Sequence, residues 1–431
     1  MPVSYTGWKP VLHCYLRILF CLYMEAGLIE FFNIVFRFIH IVAAIMWIGN
    51  SLLFTWMEIN LLDEKKNDES LGYMNMLHGG GIFFLQKRVI DPNEMPSRLH
   101  IFKWQSYTTW ISGFILLVSV FYTRGGTLLL DPSKTDLPAY MGLVISLSSL
   151  ILGWFIYDVL WRSPIGNYAW LGLLITFGGM LAYASWLETV FNGRAVYLQM
   201  GAMMGTWMSA NVRFHIMVNQ DKMIAALRDG KPHDMKASKQ AKIRSWHNHY
   251  ITFPVIFLML SAHFPSTYGS DRNISIIAVI IVCLIIIKHM MNCYRTIARW
   301  KEIIYVTFMA GTAAIYGLMT VPPIFGDPVD VVQLSLEAEA GKQIFSAMGC
   351  QACHLPQAGT IAPSLHGLIG KEREFVDGTK LIADEAYIRD SIMNSTSNIV
   401  KGFAPAMPPY ATVIQEEQLD QLVAYLQSLS E

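Results

Sequence analysis

Residues 273–293 read NISIIAVIIVCLIIIKHMMNC, a nearly unbroken run of apolar side chains. A helix needs about 20 apolar residues to cross the hydrocarbon core of a bilayer, so this run predicts a membrane span. Over the whole chain, 53% of the residues are hydrophobic and 15% are charged, whereas soluble globular proteins carry about 25% charged residues. The composition therefore excludes an ordinary soluble enzyme and favours a membrane protein.

Further apolar stretches of similar length lie on both sides of this run. They fall near 31–60, 104–123, 139–161, 167–190, 195–219, 248–264 and 301–320. Within hydrocarbon, helices are the open-ended structure that satisfies every backbone polar group. The sequence thus predicts an all-α fold, with a polytopic membrane helix bundle of about eight spans over residues 28–322. Residues 1–27 are expected to form an N-terminal extension, because their apolar run is too short to span.

The basic residues predict how the bundle is oriented. Most Lys and Arg residues between the spans fall in loops that share one side of the membrane, at 61–103, 162–166, 220–247 and 294–301. The positive-inside rule makes that side cytoplasmic. The C-terminal region then lies on the opposite, periplasmic or outer side of a bacterial-type inner membrane. The apolar spans make a lipid bilayer the expected partner, and the net charge of zero gives no sign of nucleic-acid binding.

The C-terminal region differs from the bundle in composition. We place a linker at 323–334 and a polar, acidic domain at 335–431. Within it, Cys350-Gln351-Ala352-Cys353-His354 has the C-x-x-C-H spacing by which haem is attached in c-type cytochromes. Two thiols on one turn can bond the two haem vinyl groups, and the adjacent His354 can reach the iron. A zinc site would need a second Cys or His pair, and the other histidine here is His366. The motif predicts one covalently bound haem c.

The second axial ligand of this haem is expected downstream. Met407, in Met407-Pro408-Pro409-Tyr410, is the first candidate, and Met393 and Met348 are the competitors. A methionine opposite histidine raises the reduction potential, which suits an electron acceptor. The whole segment from about 335 to 430 resembles a class I cytochrome c. The resemblance implies that Gly341 lies where the first and last helices cross, and that the carbonyl of Pro363 holds the haem histidine.

The predicted spans contain histidines, and ionisable groups in spans indicate function by default. The candidates are His40, His215, His247, His249, His263 and His289. His249 and His263 are 14 residues apart, which places them about 21 Å apart along a helix and within about 40° of one face. One helix could thus ligate two stacked b-type haems, with His40 opposite His263, and His215 or His289 opposite His247 or His249. The alternative is a set of hydrogen-bonded or interfacial histidines, so the sequence leaves haem b open.

The long inner loop contains a second group of candidate site residues. His78 is followed by Gly79, Gly80 and Gly81, whose backbone could approach a ligand closely. Lys87 and Arg88 then form a basic pair that could hold an anion. The alternatives are a flexible glycine turn and a basic anchor at the membrane surface.

Three segments together resemble the membrane-bound urate hydroxylases, whose eight-span domain is fused to a cytochrome c. They are His78–Gly81 with Lys87–Arg88, Leu99–Trp104 leading to Tyr107–Gly113, and His247–Pro254 continuing through Met259–Pro265. The resemblance covers nearly all of 28–430. It implies that urate is oxidised to 5-hydroxyisourate, and that electrons pass to cytochrome c and on to a terminal oxidase or a soluble cytochrome.

This resemblance suggests roles for the loop residues. Urate is an anion at neutral pH, so Lys87, Arg88 and Lys103 are candidates to orient it, beside Gly79–Gly81. A general base is needed, and His78 and His100 are the candidates, because histidine titrates near neutral pH. Two other functions stay open on sequence alone: a quinol–cytochrome c oxidoreductase, and a non-catalytic electron-transfer subunit of a respiratory complex.

Overall fold

A computed structural model gives the architecture of the chain. It describes residues 9–429 apart from 63–69, 89–95, 97, 123–127, 132–133, 232–233, 321–333, 349, 351–352, 355–361, 404–406, 409 and 412. The described part is predominantly helical, with two short antiparallel hairpins. The predicted fold class, an all-α membrane helix bundle followed by a C-terminal cytochrome c domain, is confirmed.

The bundle is built from α1 to α10. Their bounds are Lys9–Ile59, Lys103–Leu117, Ala139–Arg162, Ala169–Glu188, Gly193–Ala210, Met217–Arg228, Met235–Leu260, Pro265–Tyr268, Asn273–Asn292 and Trp300–Thr320. Two π-helical segments continue helices: Val118–Tyr122 follows α2, and Asn211–Ile216 joins α5 to α6. Short 3₁₀ turns lie at Pro164–Asn167 and Ser261–His263. Helix α1 runs without a break from Lys9, so residues 9–27 of the expected extension belong to the helix that carries the first span.

Five described helices are long and apolar enough to cross a membrane. They are Phe31–Ile59 of α1, α3, α4, α9 and α10. The other three predicted spans, near 104–123, 195–219 and 248–264, are also helical, in α2 with its π-helical segment, in α5 with the segment after it, and in α7. These three carry polar side chains that are buried in the bundle, such as Ser106 in α2, Ser209 in α5 and Asn248 in α7.

Helix α5 lies at the centre of the bundle. Along it Ala195, Val196, Tyr197 and Met200 are all at most 1% exposed. Helices α2, α3, α4 and α7 pack around it. Gly201 lets α7 approach, because a methyl group there would lie 3.1 Å from the Leu258 Cβ. The lipid-facing helices therefore enclose one helix that is buried on all sides.

The predicted inner loop contains a β-hairpin that the sequence analysis did not predict. Strand β1 (Ser70–His78) pairs with β2 (Gly81–Arg88), and Gly79 and Gly80 form the two-residue turn. Their φ angles are +59° and +82°, the left-handed conformation that this turn requires at both positions and that glycine adopts at no steric cost. The glycines are thus explained by the turn.

The C-terminal domain is a small helical unit. It comprises α11 (Leu336–Ala347), the hairpin of β3 (Glu372–Glu374) and β4 (Lys380–Ile382), α12 (Glu385–Met393) and α13 (Glu416–Ser428). Helices α11 and α13 cross at Gly341, where an added methyl group would overlap the carbonyl oxygen of Gln421. Phe345 and Tyr425 pack beside the crossing with ring centroids 5.4 Å apart. The helix contact expected at Gly341 is therefore present.

Candidate active site and haem site

The C-x-x-C-H segment begins in a short turn just after α11. The backbone N–H of Cys353 and of His354 both donate to the carbonyl of Cys350, at 3.2 and 2.9 Å. Cys350 is half-buried and Cys353 is exposed, and both are free thiols. The turn therefore presents two thiols and an imidazole within five residues, as haem attachment requires.

The ring of His354 is held by the backbone of Pro363. Its Nδ1 lies 2.9 Å from the Pro363 carbonyl oxygen, which can only accept, so Nδ1 donates and Nε2 keeps its lone pair for a metal. Burial lowers the pKa of His354, which keeps the ring in the neutral form that ligates iron. This arrangement fits a c-type haem. Among the described residues, no group of three or more His, Cys, Asp or Glu could hold a metal ion, so the zinc alternative gains no support there.

Met407 packs against the hydrophobic core of the same domain, together with the competitors Met348 and Met393. Its backbone carbonyl accepts a hydrogen bond of 2.8 Å from the Ser395 hydroxyl, which ties its segment to the residues after α12. Asp390 holds those residues in turn, because its carboxylate accepts from Asn394, Ser397 and Asn398. Met407 stays the predicted axial ligand.

A cavity of about 330 Å³ opens at the end of the bundle where α1 finishes. Its wall is formed by the C-terminal turns of α1, by β2, by α6 and the residue before it, and by α7. The polar lining residues are Thr55, Glu58, Lys87, Asn219, Gln220, Ser238, Lys242, Ser245, Trp246 and His249. The space is large enough for a purine and is lined mainly by hydrogen-bonding groups.

The charges at this cavity are arranged around one carboxylate. Oxygen Oε1 of Glu58 accepts from Lys242 Nζ at 2.6 Å and lies 3.1 Å from Lys87 Nζ. Two ammonium groups and one carboxylate leave the cavity with an excess positive charge. The cavity therefore favours an anionic ligand that binds beside the partly exposed Glu58, where the two ammonium groups can reach it.

The inner wall of the cavity is made by His249, which is 3% exposed. Its Nε2 lies 3.1 Å from Oδ1 of Asn292 on α9, and its Nδ1 lies 3.5 Å from the Thr55 hydroxyl on α1. Three helices thus hold the ring. The sequence analysis missed Thr55, Glu58 and Asn292, which are polar residues near the ends of predicted spans, and Lys242, which it counted among the basic residues of the loop 220–247.

A second polar cluster lies on the opposite face of α7. Asp158 on α3 accepts from Arg244 at 2.7 Å and contacts His215 at 2.6 Å. Asn211 donates to the Tyr157 hydroxyl at 3.0 Å. The ring of His247 completes the cluster, 2.7 Å from the same hydroxyl. Asn211 and His215 come from the π-helical segment after α5, a feature that is frequent at functional sites.

The structure brings only some of the predicted inner-loop residues together. Lys87 reaches the cavity, whereas His78 and Gly79–Gly81 lie at the turn end of the hairpin, about 20 Å from Lys87 along β2 at 3.3 Å per residue. His78, His100 and Arg88 are exposed, and Lys103 begins α2 outside the cavity wall. Of the predicted catalytic and substrate-binding residues, Lys87 lines this cavity, and the roles of the others stay predictions.

The candidate haem b ligands are also spread out. Nδ1 of His40 lies 2.9 Å from the Thr109 carbonyl oxygen and 3.2 Å from the Ser112 hydroxyl, and Nδ1 of His289 lies 2.8 Å from the Tyr250 hydroxyl. His263 is exposed in the 3₁₀ turn after α7. None of the hydrogen bonds described for these rings joins one candidate histidine to another. Haem b stays a prediction.

Two family models match the chain. One, described as Urate oxidase N-terminal, matches residues 26–320, and one described as Cytochrome c matches residues 338–430. The chain belongs to the urate oxidase N-terminal family. This confirms the resemblance to urate hydroxylases with a fused cytochrome c. A search among curated proteins finds no match.

Membership in the urate oxidase N-terminal family, with a cytochrome c in the same chain, indicates a urate-related redox function and a c-type haem. The protein is thus an oxidoreductase with membrane helices and an electron-transfer domain. The haem site derived from Cys350, Cys353 and His354 lies inside the cytochrome c match. The cavity and the cluster around Asp158 both lie inside the urate oxidase N-terminal match.

Proposed function

We propose that this protein oxidises urate to 5-hydroxyisourate in the membrane domain and passes the electrons to a haem bound covalently at Cys350 and Cys353. The observation that carries the proposal is the fusion of a urate oxidase N-terminal domain with a cytochrome c in one chain. A covalently linked electron acceptor makes molecular oxygen unnecessary as the oxidant. From the haem, electrons pass to a terminal oxidase or a soluble cytochrome.

The cavity beside Glu58 is the proposed urate site. The urate monoanion matches its excess positive charge, and Lys87 and Lys242 can turn from the Glu58 carboxylate to the substrate. Ser238, Ser245 and Asn219 supply hydrogen-bonding groups for the purine edges. Because the basic loops lie at this end of the bundle, urate enters from the cytoplasmic side.

We infer that the cytochrome c domain lies at the end of the bundle opposite the cavity. Arg295, just before α10, donates to the carbonyl of Ile59 at the end of α1, so α10 begins near the cavity. Helix α10 has 21 residues, which carry the chain about 30 Å away at 1.5 Å per residue. The cytochrome c domain follows α10 and therefore lies on the periplasmic or outer side of a bacterial-type inner membrane.

Haem b in the bundle is part of this proposal. His40 suits an axial ligand, because a metal-binding histidine usually donates its other ring N–H to a carbonyl, and Nδ1 of His40 meets the carbonyl of Thr109. Bound there, haem b would supply one-electron transfer between the two ends of the bundle.

The proposal is tested with the purified full-length protein. Urate added to the oxidised protein should reduce its own c-type haem, followed by the visible spectrum, and 5-hydroxyisourate should appear in proportion. Reduction by a quinol but not by urate would instead indicate a quinol–cytochrome c oxidoreductase. Failure of both donors would favour a non-catalytic electron-transfer subunit.

The urate site is tested with matched lysine variants. Lys242→Met removes a charged hydrogen bond worth about 1.5–3 kcal/mol, so the KM for urate should rise about 10- to 100-fold. Lys231→Met is the control, because Lys231 is exposed, pairs with Asp229 and lies outside the cavity wall. Equal KM values for the two variants would show that urate binds elsewhere in the protein.

A further inference from the structure

Three side chains at the inner wall of the cavity have no role in the urate binding proposed above. Thr55, His249 and Asn292 come from α1, α7 and α9, and Thr55 and His249 line the cavity directly. Asn292, which is 6% exposed, stands behind the His249 ring. Each side chain is held in a helix, so the relative positions of the three groups are set by helix packing.

The orientation of the Asn292 amide, with Oδ1 toward the ring, sets the tautomer of His249. Oδ1 of Asn292 can only accept, so Nε2 of His249, 3.1 Å away, carries the ring hydrogen. The other nitrogen, Nδ1, then holds a lone pair. It faces the Thr55 hydroxyl at 3.5 Å, the outer limit for a hydrogen bond. A proton acceptor is therefore directed at the cavity, beside a hydroxyl that can hold a small molecule.

The reaction needs a proton acceptor at this place. Oxidation of the urate monoanion combines it with one water molecule and yields neutral 5-hydroxyisourate, one proton and two electrons. A bond forms between the water oxygen and a purine carbon, and an O–H bond of the water breaks. A c-type haem held by Cys350, Cys353 and His354 would supply the one-electron acceptor and would be reduced twice for each urate, with reoxidation by the downstream acceptor between the two electrons. One proton remains, and it requires a base within hydrogen-bond reach of the water.

Resting on the proposed function, we propose that His249 is the general base that takes this proton at Nδ1. Thr55 holds the water against Nδ1 through its hydroxyl. Asn292 is a positioning residue that keeps the hydrogen on Nε2. The catalytic histidine is then one that the sequence suggested as a haem ligand. His78 and His100, the candidates in the loop, are exposed and lie outside the cavity wall.

The main test is urate-dependent reduction of the c-type haem in His249→Gln. Glutamine keeps a polar side chain but cannot accept a proton, so kcat should fall about 10²- to 10⁴-fold while KM stays near its wild-type value. Free imidazole should restore part of the rate in His249→Ala, a rescue that a purely structural role would not produce. Haem content and dithionite reduction, measured first, show that the variants fold.

A matched pair of threonine variants keeps the proposal falsifiable if His249 variants fail to fold. Thr55→Val should lower kcat and Thr55→Ser should restore it. Thr252→Val is the control, since Thr252 is also buried in the bundle but bonds to the carbonyl of Asn248. His249→Gln with wild-type kcat, or Thr55→Val as active as Thr252→Val, overturns the assignment of the base. Wild-type protein whose haem is not reduced by urate overturns the proposed function itself.

Discussion

The backbone of Gly341 in α11 lies directly against the carbonyl group of Gln421 in α13, and a methyl group added at Gly341 would also lie 2.9 Å from the Tyr425 Cβ. The two terminal helices of the cytochrome domain can therefore cross only where one of them has no side chain. Gly341→Ala should push the helices apart and destabilise the domain by about 1–3 kcal/mol.

The measurement is thermal unfolding of the full-length protein followed by haem absorbance. A loss of this size should lower the midpoint by about 5 °C or more. Glu339→Ala is the control, because Glu339 is exposed on the same helix and surface changes usually stay within about 0.5 kcal/mol. Equal midpoints for the two variants would contradict the packing seen at the crossing.

Covalent attachment of haem is checked on a denaturing gel stained for haem peroxidase activity. The double variant Cys350→Ser with Cys353→Ser should lose the stained band, because neither thioether bond can form. Cys283→Ser should keep the band, since Cys283 lies in α9 beside Gly311 and far along the chain from the haem motif. A band that persists in the double variant would refute the haem assignment.

The axial methionine is tested by redox titration. Met407→Ala should retain haem but lower its reduction potential, because the thioether ligand is lost. Met348→Leu and Met393→Leu are the matched variants, as both methionines pack in the same core. If one of these lowers the potential and Met407→Ala does not, the ligand is reassigned to that residue.

The loop that leads to Met407 should loosen in acid. Hydrogen bonds from Asn394 and Ser397 hold the pKa of Asp390 below its ordinary value of 3.8. A carboxyl whose pKa is lower in the folded state contributes stability that is present above pH of about 4 and lost as the pH falls through the folded pKa. The Met–iron absorption band should weaken over that range.

Asp390→Asn should weaken the Met–iron band already at neutral pH. Asp377→Asn is the control, because the pKa of Asp377 is also lowered by hydrogen bonds from Thr379, but it lies in the β3–β4 turn. The same band intensity in both variants at every pH would show that Asp390 does not support the Met407 segment.

Haem b is tested by the dithionite-reduced spectrum, normalised to the c-type peak. The wild-type protein should show a b-type component, and His40→Ala and His263→Ala should each remove or shift it, because loss of an axial ligand changes the coordination of the iron. His366→Ala, in an exposed position of the cytochrome domain, should leave it unchanged. A wild-type spectrum with c-type absorbance alone would end the haem b proposal.

The sequence by itself determined the features of this protein that depend on residues close together along the chain. Long apolar runs specify membrane helices because the bilayer accepts no other open-ended structure. The C-x-x-C-H spacing specifies a haem site because both thiols and the imidazole lie on one turn. Gly341 and Pro363 could be placed as well, through the resemblance to cytochromes c.

Only the tertiary structure decided which distant residues share a site. Thr55, Lys87, Lys242, His249 and Asn292 lie on three helices and a strand, and no local pattern links them. The periodicity of α7 predicted a common face for His249 and His263, but packing against α1 and α9 directed His249 to Thr55 and Asn292. Gly79 and Gly80, which the sequence suggested for ligand contact, form a hairpin turn whose backbone geometry requires glycine, and their part in binding stays a prediction. A helix sequence specifies its own faces, whereas the partner of each face depends on how all the helices pack.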